Sequence, residues 1–97
     1  MELNDLEVLV LNKIQNASKK YPAKSKYLRQ ECNISFRHLK QIITNLRNEY
    51  PIVSKETNGG GYWIAENATD ILNFTHMIEA RKQGYEETID KMLNFIK

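Results

Sequence analysis

The side chains of this sequence that could do chemistry lie mainly between residues 36 and 48. Helical spacing places apolar residues of this segment on one face and polar residues on the other, with no acidic residue before Glu49. Arginine pairs well with guanine edges and glutamine with adenine edges. The polar face therefore has the composition of a nucleic-acid-reading surface, although a solvated amphipathic helix is the alternative. Its members are Arg37, His38, Lys40, Gln41, Thr44, Asn45 and Arg47.

The charge of the chain is concentrated in its middle. Residues 18–55 contain nine basic and two acidic residues, a net charge of +7, whereas the remainder contains five basic and ten acidic residues, a net charge of −5. A basic segment of this kind favours a polyanionic partner, most simply nucleic acid phosphate. Charge alone is equally compatible with a solvated basic surface.

Catalytic chemistry has little support in the sequence. The two histidines, His38 and His76, are far apart, and the glycines of 59–61 lack the lysine of a phosphate-binding loop. Cys32 is the single cysteine, which excludes an intrachain disulfide and a cysteine metal cluster. We expect no enzyme activity, no metal and no cofactor. Without a long apolar run or a signal-peptide pattern, a cytoplasmic location is expected.

Two helices are predicted before residue 36, where the segment with the polar face begins. Asn4 and Glu7 have the spacing of a capping box at the start of a helix over residues 5–19. A second, short helix is predicted over residues 25–32, with Ser25 as its N-cap. Its inward-facing residues are predicted to be Tyr27, Leu28 and Cys32.

A tight joint is predicted between the second helix and the third. Asn33 can adopt a left-handed conformation at a helix end, and Ser35 is a good N-cap for a third helix over residues 36–48. The buried face of this third helix is predicted to be the apolar stripe of Phe36, Leu39, Ile42, Ile43 and Leu46.

A β-hairpin is predicted after Pro51. Strands are expected over residues 52–56 and 61–65, joined by turn residues that tolerate positive φ. The glycines of the turn either serve its geometry or let the hairpin tip approach a ligand closely. Alternation places Trp63 on the face opposite Tyr62, and we expect Trp63 to pack rather than to stack on single-stranded bases.

One long helix is predicted over residues 68–96. It would be about 40 Å long at roughly 1.5 Å per residue, more than the preceding residues can cover. Its heptad spacing predicts a homodimer. The alternative is a break at Gly84, after which the chain folds back. The predicted dimer seam consists of Ile71, Phe74, Ile78, Tyr85, Ile89, Met92 and Ile96.

The predicted fold is mainly α with a small β-hairpin, an α+β class. The order helix, helix, tight turn, helix, hairpin resembles the winged helix-turn-helix family over residues 5–65. It is most similar to small winged-helix proteins of phages and prophages of low-GC Gram-positive bacteria, in which a Gly-Tyr-aromatic-Ile strand, here 61–64, precedes a long charged helix. The resemblance implies a DNA-binding domain at 1–66 and a dimerising or partner-binding helix at 67–97.

In this family the third helix approaches base edges of double-stranded DNA. The resemblance therefore implies base contacts by Arg37, His38, Gln41 and Thr44. Contacts to the DNA backbone are expected from Lys24, Ser25, Lys26, Tyr27, Lys40, Arg47, Lys55, Thr57 and Asn58. The role implied is a transcriptional regulator or a replication accessory of phage or mobile-element type.

A protein-interaction module is the second hypothesis. In it the winged-helix scaffold is retained while the C-terminal helix binds or inhibits a partner protein. Such a module has little need of a net charge of +7 over residues 18–55. Its affinity should depend weakly on salt, whereas binding to DNA phosphates should weaken steeply as salt rises.

Overall fold

The computed structural model describes residues 2–55, 60–79 and 86–96. Within these ranges the chain forms five helices and a two-stranded antiparallel sheet, which confirms the α+β class. No helix among them is both long and apolar enough to cross a membrane. In chain order the elements are α1 (Asp5–Gln15), α2 (Ser25–Cys32), α3 (Phe36–Leu46), β1 (Ile52–Ser54), β2 (Tyr62–Ile64), α4 (Ala68–Glu79) and α5 (Glu86–Asn94).

The first helix begins as predicted and ends earlier. The Asn4 side chain accepts from the Glu7 backbone N–H at 2.8 Å and the Glu7 side chain accepts from the Asn4 N–H at 3.1 Å, which completes the capping box. Helix α1 ends at Gln15 rather than at residue 19. The chain instead turns at Ser18, whose Oγ accepts from the Tyr21 N–H at 3.0 Å. A short polar side chain that bonds nearby backbone competes with helix continuation.

The joint between α2 and α3 has the predicted local chemistry. Asn33 adopts the left-handed conformation, with φ of 54°, and the Ile34 N–H donates to the Arg29 carbonyl at 3.1 Å. Ser35 caps α3, because its Oγ accepts from the His38 N–H at 3.1 Å. Three residues therefore separate the two helices, and α3 leaves the joint in a direction set by these bonds.

The two strands are apolar on both faces. Ile52 lies opposite Ile64 and belongs with it to the side of the sheet that faces α1, α2 and α3. Val53 lies opposite Trp63, and both are buried in a second core with α4 and α5. Trp63 therefore packs as predicted. The hairpin therefore lies between two hydrophobic cores. The second core contains residues from both sides of position 66, where the sequence predicted a boundary between two domains.

A backbone bridge extends the sheet on its other edge. The Ala23 N–H donates to the Tyr62 carbonyl at 2.8 Å, and the Tyr62 N–H donates to the Ala23 carbonyl at 2.9 Å. These two bonds hold the chain just before α2 against β2, so the start of α2 has a fixed place relative to the hairpin.

The predicted single helix over residues 68–96 is wrong. Helix α4 ends at Glu79, α5 begins at Glu86, and Ile71 of α4 shares a core with Met92 of α5. In one continuous helix these two residues would lie about 30 Å apart. The chain folds back, as the alternative had it, while Gly84 lies outside the described residues.

The residues of the predicted dimer seam pack against one another within a single chain. Its residues in α4 and its Met92 are at most 5% exposed, and its remaining described residues pack against the same core. Two helices of one chain account for the heptad spacing of these residues, and the dimer itself stays a prediction. The described seam residues are Ile71, Phe74, Ile78, Met92, Ile89 and Ile96; Tyr85 lies outside the described residues.

Because these apolar side chains are buried within one chain, we expect the protein to be a monomer at micromolar concentration. Light scattering coupled to gel filtration should give a mass near 11.4 kDa. A mass twice as large would mean that another surface associates, and Ile78→Asp would then unfold the protein rather than dissociate it.

Gly61 is required where the hairpin meets the segment before α2. Its φ is +145°, and a Cβ built there would lie 2.6 Å from Cβ and 2.9 Å from Cγ of Pro22. Neither backbone conformation nor space permits a side chain. Gly60, with φ of +76°, is conformationally demanding but has the Lys55 carbonyl oxygen at an ordinary 3.5 Å.

Gly61→Ala should therefore destabilise the protein by about 2 to 4 kcal/mol, the combined effect of overpacking and of backbone strain. Gly60→Ala is the matched control and should cost only about 1 kcal/mol, because strain acts there without a clash. Urea denaturation measures both. Equal losses would show that the approach to Pro22 is unimportant.

Candidate nucleic-acid interface

The predicted base-contacting residues share the exposed face of α3. All four are exposed, while Leu39, Ile42, Ile43 and Leu46 on the opposite face are buried. They line one open groove of about 790 Å³. The structure thus brings Arg37, His38, Gln41 and Thr44 together on a helix whose orientation is set by its buried stripe.

One wall of this groove comes from the start of α1. Glu7 is buried, and its carboxylate accepts both from the Asn4 N–H and from the side-chain amide of Asn45 on α3. The amide group of Asn45 is therefore oriented with its nitrogen toward Glu7. Sequence reasoning assigned Glu7 to capping alone, since nothing in the spacing of positions 7 and 45 indicates their contact.

Another wall comes from α5. Lys91 Nζ donates to the Thr44 carbonyl oxygen at 3.2 Å and lies 3.4 Å from a Glu87 carboxylate oxygen. A cation near the last carbonyls of α3 complements the helix dipole. The contact of Lys91 with α3 was not predicted from the sequence, because it requires α5 to fold back against the preceding residues.

The start of α2 presents most of its predicted backbone-contacting residues. Lys24, Lys26 and Tyr27 are exposed, which corrects the prediction that Tyr27 faces inward. Ser25 is half-buried and is the first helical residue; the N-cap is Lys24, without a side-chain capping bond. The Ser25 Oγ has no hydrogen-bond partner among the described residues.

Arg47 has a structural position rather than the predicted place at the DNA backbone. It is 9% exposed, its Nε donates to the Ile52 carbonyl oxygen at 2.9 Å, and its guanidinium lies 4.9 Å from the centroid of the Phe74 ring. This burial was not predicted, because helical spacing could not show that Phe74 of α4 lies against Arg47.

The hairpin contributes one described residue of the predicted set. Lys55 is half-buried, and its backbone N–H donates to the Gly61 carbonyl oxygen at 3.1 Å, which continues the ladder toward the tip. Thr57 and Asn58 lie outside the described residues.

Phe36 departs from the predicted apolar stripe. It is 45% exposed at the start of α3, with Arg29 Cζ 5.5 Å and Lys40 Nζ 4.9 Å from its ring centroid. Such distances allow cation–π contact. Position 36 has the correct spacing for the stripe, but it precedes the turns of α3 that reach the core.

One acidic residue of the basic segment is paired at the contact of α1 with α2. Glu31 forms an ion pair with Lys13, and the hydrogen bond from Lys13 to Glu31 raises the pKa of Lys13. The Glu31 charge is therefore compensated away from the exposed face of α3.

The Cys32 thiol lies half-buried at the end of α2. Burial raises the pKa of the half-buried Cys32 thiol, which disfavours the reactive thiolate at neutral pH. Within residues 2–55, 60–79 and 86–96, no group of three His, Cys, Asp or Glu side chains could hold a metal ion.

Comparisons with known proteins identify no relative of this chain. No protein-family model, no curated protein and no solved structure matches the chain with significance.

Arg47→Ala should lower the free energy of unfolding by about 2 kcal/mol, because it removes a charged donor from the Ile52 carbonyl oxygen and a cation from the Phe74 ring. Arg37→Ala on the same helix is the control and should cost less than about 0.5 kcal/mol, since Arg37 is exposed. Urea denaturation separates the two. Unchanged stability with weakened DNA binding in Arg47→Ala would restore the predicted backbone contact.

Proposed function

We propose that this protein binds double-stranded DNA as a winged helix-turn-helix protein and reads the major groove with α3. The observation that carries the proposal is the exposed face of α3, which holds arginine, histidine, lysine, glutamine and threonine without an acid. A B-DNA major groove about 12 Å wide admits one α-helix, provided that the opposite face of that helix is supported. The buried stripe of α3 supplies this support.

The first turns of α3 are best suited to contact bases. Arg37 and Gln41 lie one turn apart on the exposed face, and Ser35 fixes the start of the helix. The last turns are flanked by the Glu7 carboxylate on one side and by Lys91 on the other. Base reading is therefore assigned chiefly to Arg37, His38 and Gln41, with Thr44 at the boundary.

Backbone contacts on either side of α3 would fix its register in the groove. Lys24, Lys26 and Tyr27 are exposed at the start of α2, and the bridge between Ala23 and Tyr62 ties that start to the hairpin. The hairpin follows α3 directly and corresponds to the wing of a winged-helix protein in this proposal. The basic segment 18–55 covers these elements and supplies their positive charge.

The biological role we propose is that of a transcriptional regulator or a replication accessory of phage or mobile-element type. Its support is the resemblance of the strand and helix order. The competing protein-interaction hypothesis gives partner binding to the C-terminal helix, whose described seam residues pack here with Val53 and Trp63 and leave chiefly its polar face for a partner.

The test compares the wild type, Arg37→Ala/Gln41→Ala and a matched control, Gln15→Ala/Lys19→Ala. The control also removes one amide and one positive charge, but Gln15 is exposed at the end of α1 and Lys19 lies 3.7 Å from Asp70 of α4. Fluorescence anisotropy first measures binding to random-sequence duplex DNA. A duplex selected from a random pool with the wild type then serves as the specific site.

Wild-type affinity should fall about a thousandfold between about 50 mM and 200 mM salt if some six phosphates are contacted. The α3 variant should lose at least about tenfold on the selected duplex, since each bidentate base contact contributes about 1 to 3 kcal/mol of discrimination. The control should lose less affinity for the selected duplex than the α3 variant, because it removes a positive charge but no base contact. Absence of binding at low salt, or equal losses in both variants, would refute the proposal.

A further inference from the structure

The group formed by Phe36, Arg29 and Lys40 has no part in the hydrophobic cores. The Phe36 ring is nearly half exposed, and both cations lie within cation–π distance of it. The guanidinium carbon of Arg29 lies 5.5 Å and the ammonium nitrogen of Lys40 lies 4.9 Å from the ring centroid, so both groups are beside the same ring. One helix, α2, supplies Arg29, and the next, α3, supplies the other two residues.

These two cations are not neutralised by the acids nearest to them in the sequence. Glu31 follows Arg29 on α2 but is engaged by Lys13, and the first turn of α3 contains no acid. The Arg29 Nε is buried and has no hydrogen-bond partner among the described residues. Two positive groups thus flank one apolar ring at the surface.

A segment of nucleic acid backbone matches this combination. A phosphate carries one negative charge that two cations can share, and the adjoining deoxyribose presents an apolar face that can cover an aromatic ring. A free inorganic anion would use the cations and leave the ring exposed. A protein partner would need both an acidic and an apolar group at the same spacing, whereas every nucleotide of a DNA strand provides them.

We propose that Arg29, Lys40 and Phe36 form a clamp for one backbone phosphate of DNA and its deoxyribose, at the corner between α2 and α3. This inference rests on the proposed function and deepens it, since it adds Arg29 and Phe36 to the contact surface. The clamp fixes the end of α3 that precedes Arg37. Phe36 supplies the apolar contact of this site, because its exposed ring lies beside both cations and receives the sugar.

The salt dependence of binding counts the phosphates that the protein neutralises. The slope of log K against log salt is about −0.9 for each phosphate contacted on B-DNA. We would measure it on random-sequence duplex DNA for the wild type, Arg29→Ala, Lys40→Ala, the double variant Arg29→Ala/Lys40→Ala, and Phe36→Leu. Lys19→Ala is the control for net charge, since it removes one positive charge that lies 3.7 Å from Asp70 of α4 rather than beside the Phe36 ring.

For a shared phosphate, the double variant should reduce the magnitude of the slope by about 0.9, and neither single variant should reduce it by more. A reduction of about 1.8 in the double variant would mean two separate phosphates and would overturn the clamp. An unchanged slope would overturn it as well, while leaving DNA binding itself intact. If Lys19→Ala changed the slope by the same amount, the effect would be due to net charge alone and the clamp would be overturned.

Phe36→Leu removes the aromatic ring and no charge. It should weaken binding severalfold at every salt concentration with the wild-type slope, and wild-type affinity would overturn the role of the ring. Inorganic phosphate that replaces chloride at equal ionic strength should compete equally with the wild type and with Phe36→Leu, because a free anion uses the cations and not the ring; stronger competition in the wild type than in Phe36→Leu would contradict this role of the ring. Thermal unfolding verifies that each variant is folded, and Arg29→Gln/Lys40→Gln replaces the double variant if alanine unfolds it. A wild type that does not bind DNA would refute the proposed function and the clamp together.

Discussion

The arrangement of this molecule depends on a sheet that is apolar on both faces. A two-stranded hairpin of three residue pairs is marginal in water. Here Ile52 and Ile64 face the core of α1, α2 and α3, while Val53 and Trp63 face that of α4 and α5. Covering both faces forces α4 and α5 to return against the hairpin. Arg47 joins the two sides, since it reaches from α3 to the Ile52 carbonyl oxygen and to the Phe74 ring.

The structural features that depend only on residues close together in the sequence could be predicted from it. The Asn4 and Glu7 capping box, the left-handed Asn33 and the alternation around Trp63 each depend on a few consecutive residues. Features that depend on which elements meet could not be predicted. A heptad pattern records that one face of a helix is buried, but not whether another chain or the same chain covers it. The spacing therefore favoured a dimer seam, whereas the described residues of that seam meet within one chain.

The candidate site shows the same division. Exposure of Arg37 and Gln41 follows from helical spacing, and the structure agrees with it. Burial of Arg47 by α4 and the approach of Lys91 to Thr44 require the fold-back of the C-terminal residues, which spacing left open. Phe36 differs: its spacing matches the buried stripe of α3, but its side chain is nearly half exposed and belongs to neither core.

The shared sheet has a consequence for how the chain unfolds. Removal of α4 and α5 would expose Val53 and Trp63, and loss of α1 to α3 would expose Ile52 and Ile64 on the same strands. Neither half can therefore open without weakening the sheet on which the other half packs. Such coupling makes unfolding cooperative across both cores, so the backbone amides of the strands should exchange with solvent at the rate of global unfolding. The helical surface at α3 is then as stable as the C-terminal residues that cover the opposite side of the sheet.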